Sequence, residues 1–304
     1  MLHHYPDPGV DCRWRDSQRW WQALTAPELR LVISCDELEV FWFTRQGLPN
    51  FTRELLDHQR YALPGNGQDM LPPEALWQTL DTVLSPLAGQ YWHVVVVVSN
   101  QYARWLVLPW QAELRSQADR EAYYLHGLQQ AFASDMQDWQ VRAQTGGYGQ
   151  ATLVNALPAA LSEKVQAVLA EHHLSSGVIV PAWVLSVNQA LYSQRQQRRS
   201  ADGWIVCRES GLLTIGCLMQ GAWQQVRQLP VGQQWQQSLV QLLQRELVVH
   251  PERAGLPVYL PKLNGVMQAS LAPFEVLDIL PAHGLGEVFN QSMRRRMADA
   301  SPAV

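Results

Sequence analysis

The sequence is poor in cysteine and has no long apolar run. Only 4 of its 304 residues are cysteine, no two form a CxxC pair, and no histidine lies at metal-ligand spacing from them. This pattern argues against a disulfide scaffold and fits a reducing compartment. The longest apolar run, Val94 to Val98, is far below the roughly 20 residues of a transmembrane helix, and no apolar segment near the N-terminus marks a signal peptide. We therefore expect a soluble cytoplasmic protein without a transmembrane segment of its own.

An excess of basic residues is also lacking. The chain has 23 Lys and Arg against 27 Asp and Glu, a net charge of -4, which speaks against a nucleic-acid-binding protein. No GxSxG, HExxH or Walker A pattern is present. The glycine-rich stretch at 146–149 is not predicted to bind phosphate, because no helix is expected after it.

Alternating strand and helix patterns are present throughout the chain. The first regular element is a β-branched run from Leu29 to Ser34, which two further strands and a helix follow. A second series of three strands and a helix begins at Trp204. Hydrophobic residues make up 47% of the chain, and 304 residues are enough for one large or two medium-sized domains with a sizeable core.

The two series align without a gap when the turn Gln46-Gly47 is placed on Gln220-Gly221. The same alignment places Leu38 on Leu212. Two halves with this order predict a duplicated ribonuclease-H-like fold, the actin-like ATPase fold, with two mixed sheets and a cleft between the halves. We expect an N-terminal extension at 1–28, a first half at 29–175 and a second half at 176–304, whose C-terminal helix packs back on the first half.

Active members of that fold carry Asp-x-Gly at the first turn of each half, where the Asp holds Mg²⁺ and the Gly lets backbone N–H groups approach the phosphates. In this alignment, Ser34 and Arg208 stand at the Asp positions, and Asp36 and Ser210 stand at the Gly positions. A cation at the metal position and a carboxylate beside the phosphates both oppose Mg-ATP binding. We expect degenerate phosphate turns, no catalytic residue, no cofactor and no metal, although ordinary hairpin chemistry or an arginine-assisted ATP site without metal would also fit these residues.

One segment carries a resemblance to a known family. The run Val94 to Asn100 ends in Ser-Asn, and a return strand follows that carries Arg104 and closes in Leu-Pro-Trp at 108–110. This segment resembles the PilM-type and GspL-type cytoplasmic proteins of type IV pilus and type II secretion machines. The resemblance implies an actin-like fold and a peripheral scaffold at the inner membrane that binds the N-terminal cytoplasmic tail of a bitopic protein and contacts an assembly ATPase. It does not identify the residues that would bind the tail.

Two other functions fit the residues. An ATP-binding enzyme of the actin and sugar-kinase superfamily would need a convergent acidic pair, which the sequence does not reveal. Direct binding to anionic lipid could use Arg294, Arg295 and Arg296, but such a run is more often a solvated helix face. The 13 Trp residues would suit a contact surface, although most tryptophans of this kind belong to cores.

Overall fold

The structure, a computed structural model, describes residues 26–46, 52–64, 71–174, 176–209, 211–261 and 271–279. The chain packs into two compact units. The first is made of Met1–Ser99 and Ala159–Val180, and the second of Asn100–Pro158 and Pro181–Val304. The helices predicted near 17–24 and 284–298 lie outside the described residues, and so does the packing of the second of them on the first half.

The described helices and strands follow the predicted order. The strands are β1 (Glu28–Ile33), β2 (Glu37–Gln46), β3 (Thr52–Ala62), β4 (His93–Val98), β5 (Arg104–Leu108), β6 (Trp139–Gln144), β7 (Thr152–Pro158), β8 (Ser176–Pro181), β9 (Gly203–Glu209), β10 (Leu212–Met219), β11 (Ala222–Pro230), β12 (Val258–Pro261) and β13 (Val276–Ile279). The α-helices are α1 (Glu74–Leu84), α2 (Gln117–Phe132), α3 (Ala159–Glu171), α4 (Ala182–Gln196) and α5 (Trp235–Val249).

The first unit contains a five-stranded sheet in the order β3-β2-β1-β4-β8. Strands β1, β2 and β3 form an antiparallel meander, and β4 pairs with β1 in parallel. The central strands are mainly apolar and mostly buried, as expected for a parallel pair: Leu31, Ile33, Val96 and Val98 have no exposed surface. Strand β8 completes this sheet, so the predicted boundary at residue 175 separates β8 from the sheet in which it lies. The boundary at residue 28 stays a prediction.

The second unit repeats this topology. Its five-stranded sheet has the order β11-β10-β9-β12-β13, with an antiparallel meander followed by parallel strands. Helix α5 packs on one face through Trp235, Leu239 and Leu243, which lie in one apolar cluster with Trp204 and Val206 of β9. The equal strand orders confirm the predicted duplication of a βββα half.

A three-stranded antiparallel sheet, in the order β5-β7-β6, is also part of the second unit. Helix α2 covers one face of it, because Tyr124 and Leu128 share a buried cluster with Val154 and Ala156 of β7. The β6–β7 hairpin predicted around residues 146–149 is confirmed, and strand β7 rather than a helix follows that turn.

The ladders correct the register of the duplication by one position. Leu31 pairs with Val40 in the first sheet, and Val206 pairs with Ile215 in the second. Superposing these two pairs places Leu31 on Val206, whereas the alignment of the turns places Leu31 on Ile205, which pairs with Gly216. Side chains alternate between the faces of a strand, so a slip of one position moves every side chain to the opposite face.

Within the described ranges, no helix combines the length and the apolar character that a membrane crossing requires.

Candidate functional site

The corrected register changes which residues of the two opening turns correspond. When the paired strands are superposed, Ser34 matches Glu209 and Asp36 matches Gly211. The first turn therefore lacks both the acidic residue and the glycine of a phosphate turn. The second turn has a glutamate followed two positions later by a glycine, which lies in the left-handed region with φ of 72°.

Arg208 does not stand at the acidic position of the second turn. It pairs with Leu213 and corresponds to Ile33 of the first hairpin. The predicted replacement of the acidic residue by arginine is thereby corrected, and the glutamate after it occupies that position. Ser210 lies outside the described residues, and the degeneracy of the turns stays a prediction.

The first turn is held by its own polar groups. Both the backbone N–H and the side-chain hydroxyl of Ser34 donate to the carbonyl oxygen of Glu37, over 3.0 Å and 2.8 Å. The carbonyl oxygen of Asp36 accepts the N–H of Leu63 over 2.7 Å. Ser34 is buried, so its hydroxyl stabilises the hairpin, and the carboxylate of Asp36 adds negative charge at the glycine position.

In the second unit, Asn100 and Glu209 form the centre of a buried hydrogen-bond network. The N–H of Asn100 donates to Oε2 of Glu209 over 2.8 Å, and its side-chain amide donates to Sγ of Cys207 over 3.6 Å. Its carbonyl oxygen accepts the amide of Gln228 over 2.7 Å. Asn100 has no exposed surface. The network therefore gives hydrogen-bond partners to the buried polar groups of the turn that follows β4.

Asn100 also caps helix α4 from a distant part of the chain. Its Oδ1 accepts the N–H of Trp183, the second residue of α4, over 3.1 Å. The residue before the helix is Pro181, which offers no side-chain cap. Asn100 therefore supplies the acceptor that an N-terminal Ser, Asp or Asn provides in other helices.

The side chain of Arg208 lies on the face of the second sheet that α5 covers. Its guanidinium carbon is 5.3 Å from the ring centroid of Trp235, the first residue of α5. Arg208 is buried, and its Nε has no hydrogen-bond partner among the residues that the structure describes. Burial lowers the pKa of this guanidinium from its usual value because it penalises the charged form.

A half-open pocket of about 310 Å³ lies in the second unit between the loop after β5, helix α2 and the β6–β7 turn. We call it the aromatic pocket. Its lining residues are Pro109, Trp110, Gln111, Leu114, Arg120, Tyr123, Tyr124, Thr145, Gly146, Gly147, Tyr148, Gln150 and Thr152. The volume is in the range of pockets that hold a small ligand or a few side chains of a peptide.

Two aromatic side chains form an exposed rim on this pocket. The rings of Trp110 and Tyr148 lie 4.8 Å apart, although Tyr148 is 92% exposed and Trp110 is 37% exposed. Tyr123 donates its hydroxyl to the carbonyl oxygen of Pro109 over 3.2 Å, which fixes the loop that carries Trp110. The sequence shows the Pro-Trp-Gln run but not its proximity to the 146–149 turn, because helix α2 and strand β6 lie between them in the chain.

Within the described ranges, no three His, Cys, Asp or Glu side chains lie together as metal ligands would.

Comparison with solved structures shows similarity over most of the chain. The cytoplasmic domain of EpsL, an inner-membrane component of the type II secretion system of Vibrio cholerae, matches at a TM-score of 0.53 and 16% identity, covering 91% of this chain and 97% of that one. The PilM-PilN type IV pilus biogenesis complex matches at 0.60 and 15%, covering 90% and 96%. A Bacteroides thetaiotaomicron protein with an actin-like ATPase fold and unknown function matches at 0.54 and 11%, covering 88% and 95%.

The chain has an actin-like ATPase fold. The predicted fold class is confirmed, and the predicted resemblance to PilM-type and GspL-type proteins is confirmed at the level of the fold. No family model matches the chain, and no curated protein is significantly similar to it.

Proposed function

We propose that this protein is a non-catalytic cytoplasmic scaffold of a type IV pilus or type II secretion assembly, peripheral at the inner membrane, which binds the cytoplasmic tail of a membrane partner. The similarity to EpsL and to the PilM-PilN complex supports this assignment. One observation in the chain supports the proposed absence of catalysis. The first opening turn has Ser34 at its acidic position, and the Ser34 hydroxyl donates to the backbone of the same turn.

The aromatic pocket is the proposed binding site for the tail. Exposed aromatic side chains are enriched at interfaces because they bury a large area at a low cost in conformational entropy. Trp110 and Tyr148 present such a surface, and Arg120 is the charged side chain of the lining. Strand β6 at the edge of the three-stranded sheet offers backbone groups to which an extended segment can add. An extended tail with apolar anchor residues fits this combination.

The test uses synthetic peptides that correspond to the N-terminal tails of bitopic proteins encoded beside this gene, with fluorescence anisotropy as the readout. We expect one of these peptides to bind. Replacing the rim aromatics, Trp110→Ala and Tyr148→Ala, should weaken binding by roughly tenfold each, because aromatic anchors contribute about 1–2 kcal/mol or more at interfaces.

Tyr91 offers a matched control. It is 52% exposed and belongs to the first unit, so Tyr91→Ala should leave peptide affinity unchanged. Equal losses for the rim variants and for Tyr91→Ala would place the tail elsewhere. If no neighbouring gene encodes an inner-membrane component and no tail peptide binds, the scaffold function is refuted and the fold alone remains.

An ATP-binding protein is the second candidate, and one observation favours it. The second opening turn has Glu209 and Gly211 in the order that a phosphate turn requires. Against it, the Glu209 carboxylate already accepts the N–H of Asn100, and the first turn has a carboxylate in the position of its glycine. Titration with Mg-ATP separates the two candidates, because only the second requires tight binding that depends on Mg²⁺.

A further inference from the structure

Arg208 differs from the other buried arginines of the described residues in having no anionic partner. Arg30 contacts the carboxylate of Glu28 at 2.6 Å, and Arg253 contacts that of Glu246 at 3.2 Å. Nε of Arg208 is buried without a hydrogen-bond partner among the described residues, and the guanidinium lies against the ring of Trp235. Buried charges in folded proteins are nearly always paired, so Arg208 points to an anion that is not among the described residues.

The N-terminus of helix α5 lies beside this arginine. Trp235 is its first residue, the preceding Gln234 makes no side-chain cap, and the first turn contains no acidic residue. The N–H groups of Gln237 and Ser238 donate to the carbonyl oxygen of Gln234 over 3.1 Å and 3.3 Å. The helix dipole and the absence of a side-chain cap give this helix of 15 residues a partial positive charge at its N-terminus. Glu209, which follows Arg208 in β9, directs its carboxylate to the N–H of Asn100 over 2.8 Å.

We propose that Arg208 and the N-terminus of α5 form a binding site for a phosphoryl group. The planar guanidinium can donate two parallel hydrogen bonds to one tetrahedral oxyanion, and free N–H groups at a helix N-terminus add donors from the backbone. The lack of acidic side chains in the first turn of α5 suits an anion and excludes a divalent cation. This site is separate from the aromatic pocket and does not depend on the proposed scaffold function.

Binding of inorganic phosphate tests the site directly. Calorimetry and thermal unfolding of the full chain are measured in phosphate and in sodium chloride of equal ionic strength. We expect phosphate to raise the midpoint of unfolding more than chloride does. In Arg208→Met the affinity for phosphate should fall by about tenfold or more, since charge-assisted hydrogen bonds are lost. Arg208→Lys keeps the charge but loses the planar pair of guanidinium donors, so its affinity for phosphate should lie between those of Arg208→Met and the unaltered protein.

Two further variants serve as a control and as an independent test of the site. Arg245, exposed on the same helix, is the matched control, and Arg245→Met should bind phosphate like the unaltered protein. Gln234→Asp places a carboxylate at the N-terminus of α5, so it should raise the midpoint of unfolding without phosphate and remove the gain that phosphate produces. Gln234→Asp also tests the site if Arg208→Met does not fold.

The source of the phosphoryl group is distinguished with vesicles. Binding to phosphatidic acid vesicles but not to phosphatidylcholine vesicles, lost in Arg208→Met, would assign the site to a lipid headgroup. A phosphate effect that is lost in Arg208→Met, without vesicle binding, would assign it to a free phosphate, since a general salt effect of phosphate would persist in the variant. If the protein responds to neither, or if Arg208→Met responds like the unaltered protein, the proposal is overturned.

Discussion

The backbone N–H of Asn100 donates to the carboxylate of Glu209 over 2.8 Å, across 109 positions of the sequence. The same asparagine caps α4 through Trp183 and accepts the amide of Gln228. One buried residue therefore connects the end of β9, the start of α4 and strand β11 within the second unit. The carboxylate that corresponds in position to Ser34 of the first turn is used here to hold the backbone.

Asn100→Ala should destabilise the second unit. The substitution removes the cap of α4, worth about 1 kcal/mol, and the hydrogen bond to the Cys207 sulfur, and it leaves the N–H of Trp183 unsatisfied. Together these losses predict a decrease of about 2–3 kcal/mol in the free energy of unfolding. Urea denaturation followed by far-UV circular dichroism measures it. Gln111→Ala, at an exposed position, should change it by less than about 0.5 kcal/mol; equal effects of the two variants would contradict the role of Asn100.

Gly216→Ala should be among the most damaging small substitutions in the chain. A Cβ at this position would lie 2.2 Å from Cζ2 of Trp183 and 2.9 Å from Cζ3 of Trp223. The ring of Trp183 cannot retreat easily, because Trp105 and Trp223 lie at 4.7 Å and 5.0 Å from it. We expect a loss of about 3 kcal/mol, at the upper end for overpacked cores, in the same denaturation experiment.

Gly232 is the control for Gly216. A Cβ at Gly232 would meet no atom within 4 Å, so Gly232→Ala should be neutral or stabilise the protein by about 0.4–1 kcal/mol through the unfolded chain. A comparable loss in both variants would show that the tryptophan contacts around Gly216 are not the cause.

The sequence predicts the order of helices and strands because residues that become buried recur at regular spacing along each element. The run of valines that forms β4 and the leucines on the core face of α5 predict their elements without knowledge of their neighbours. The duplication is also legible, since apolar residues alternate in both meanders. The sequence does not determine the exact register of the duplication, because two alternating patterns agree in hydrophobicity in several alignments. Only the pairing of Leu31 with Val40 and of Val206 with Ile215 decides between these alignments.

The candidate sites depend on contacts that sequence spacing does not reveal. Trp110 and Tyr148 are separated by a helix and a strand, and their ring contact follows from how α2 and the β6–β7 turn pack. The one-position error in the sequence alignment assigned Arg208, rather than Glu209, to the acidic position of the second turn. Matching Gly47 to Gly221 produced this error; placing Gly211 rather than Ser210 at the glycine position of the second turn would have found Glu209.

Cys217 should be inert to alkylation in the folded protein. Burial raises the pKa of its thiol from 9.0 to about 12, so about one molecule in ten thousand carries the reactive thiolate at pH 8. A thiol with the unshifted pKa of 9.0 is roughly one-tenth thiolate at that pH. Iodoacetamide labelling with mass spectrometry should modify the partly exposed Cys35 first and Cys217 only in denaturant. Modification of Cys217 at the rate of Cys35 would contradict its burial.

The same shift predicts how stability depends on alkaline pH. Because the folded-state pKa of Cys217 lies above that of the unfolded chain, its contribution to stability is complete below about pH 9 and is lost as the pH rises toward 12. Cys217→Val removes the ionisable group and should flatten the decline in unfolding free energy across this range. A decline of unchanged steepness in Cys217→Val would assign it to other groups.

Mg-ATP should not bind with micromolar affinity, and no ATPase activity should be measurable. An actin-like site needs acidic and glycine residues at the first turn of both halves, and in the first turn Ser34 and Asp36 occupy these positions. The Asp36 carboxylate would repel a phosphate at the glycine position. Isothermal titration with Mg-ATP and with ATP in excess chelator measures the binding. Millimolar binding that is equal with and without Mg²⁺, and lost in Arg208→Met, belongs to the phosphoryl site at α5. Micromolar binding that requires Mg²⁺ and is lost in Glu209→Gln would refute the proposal of a non-catalytic scaffold and favour an ATP-binding protein.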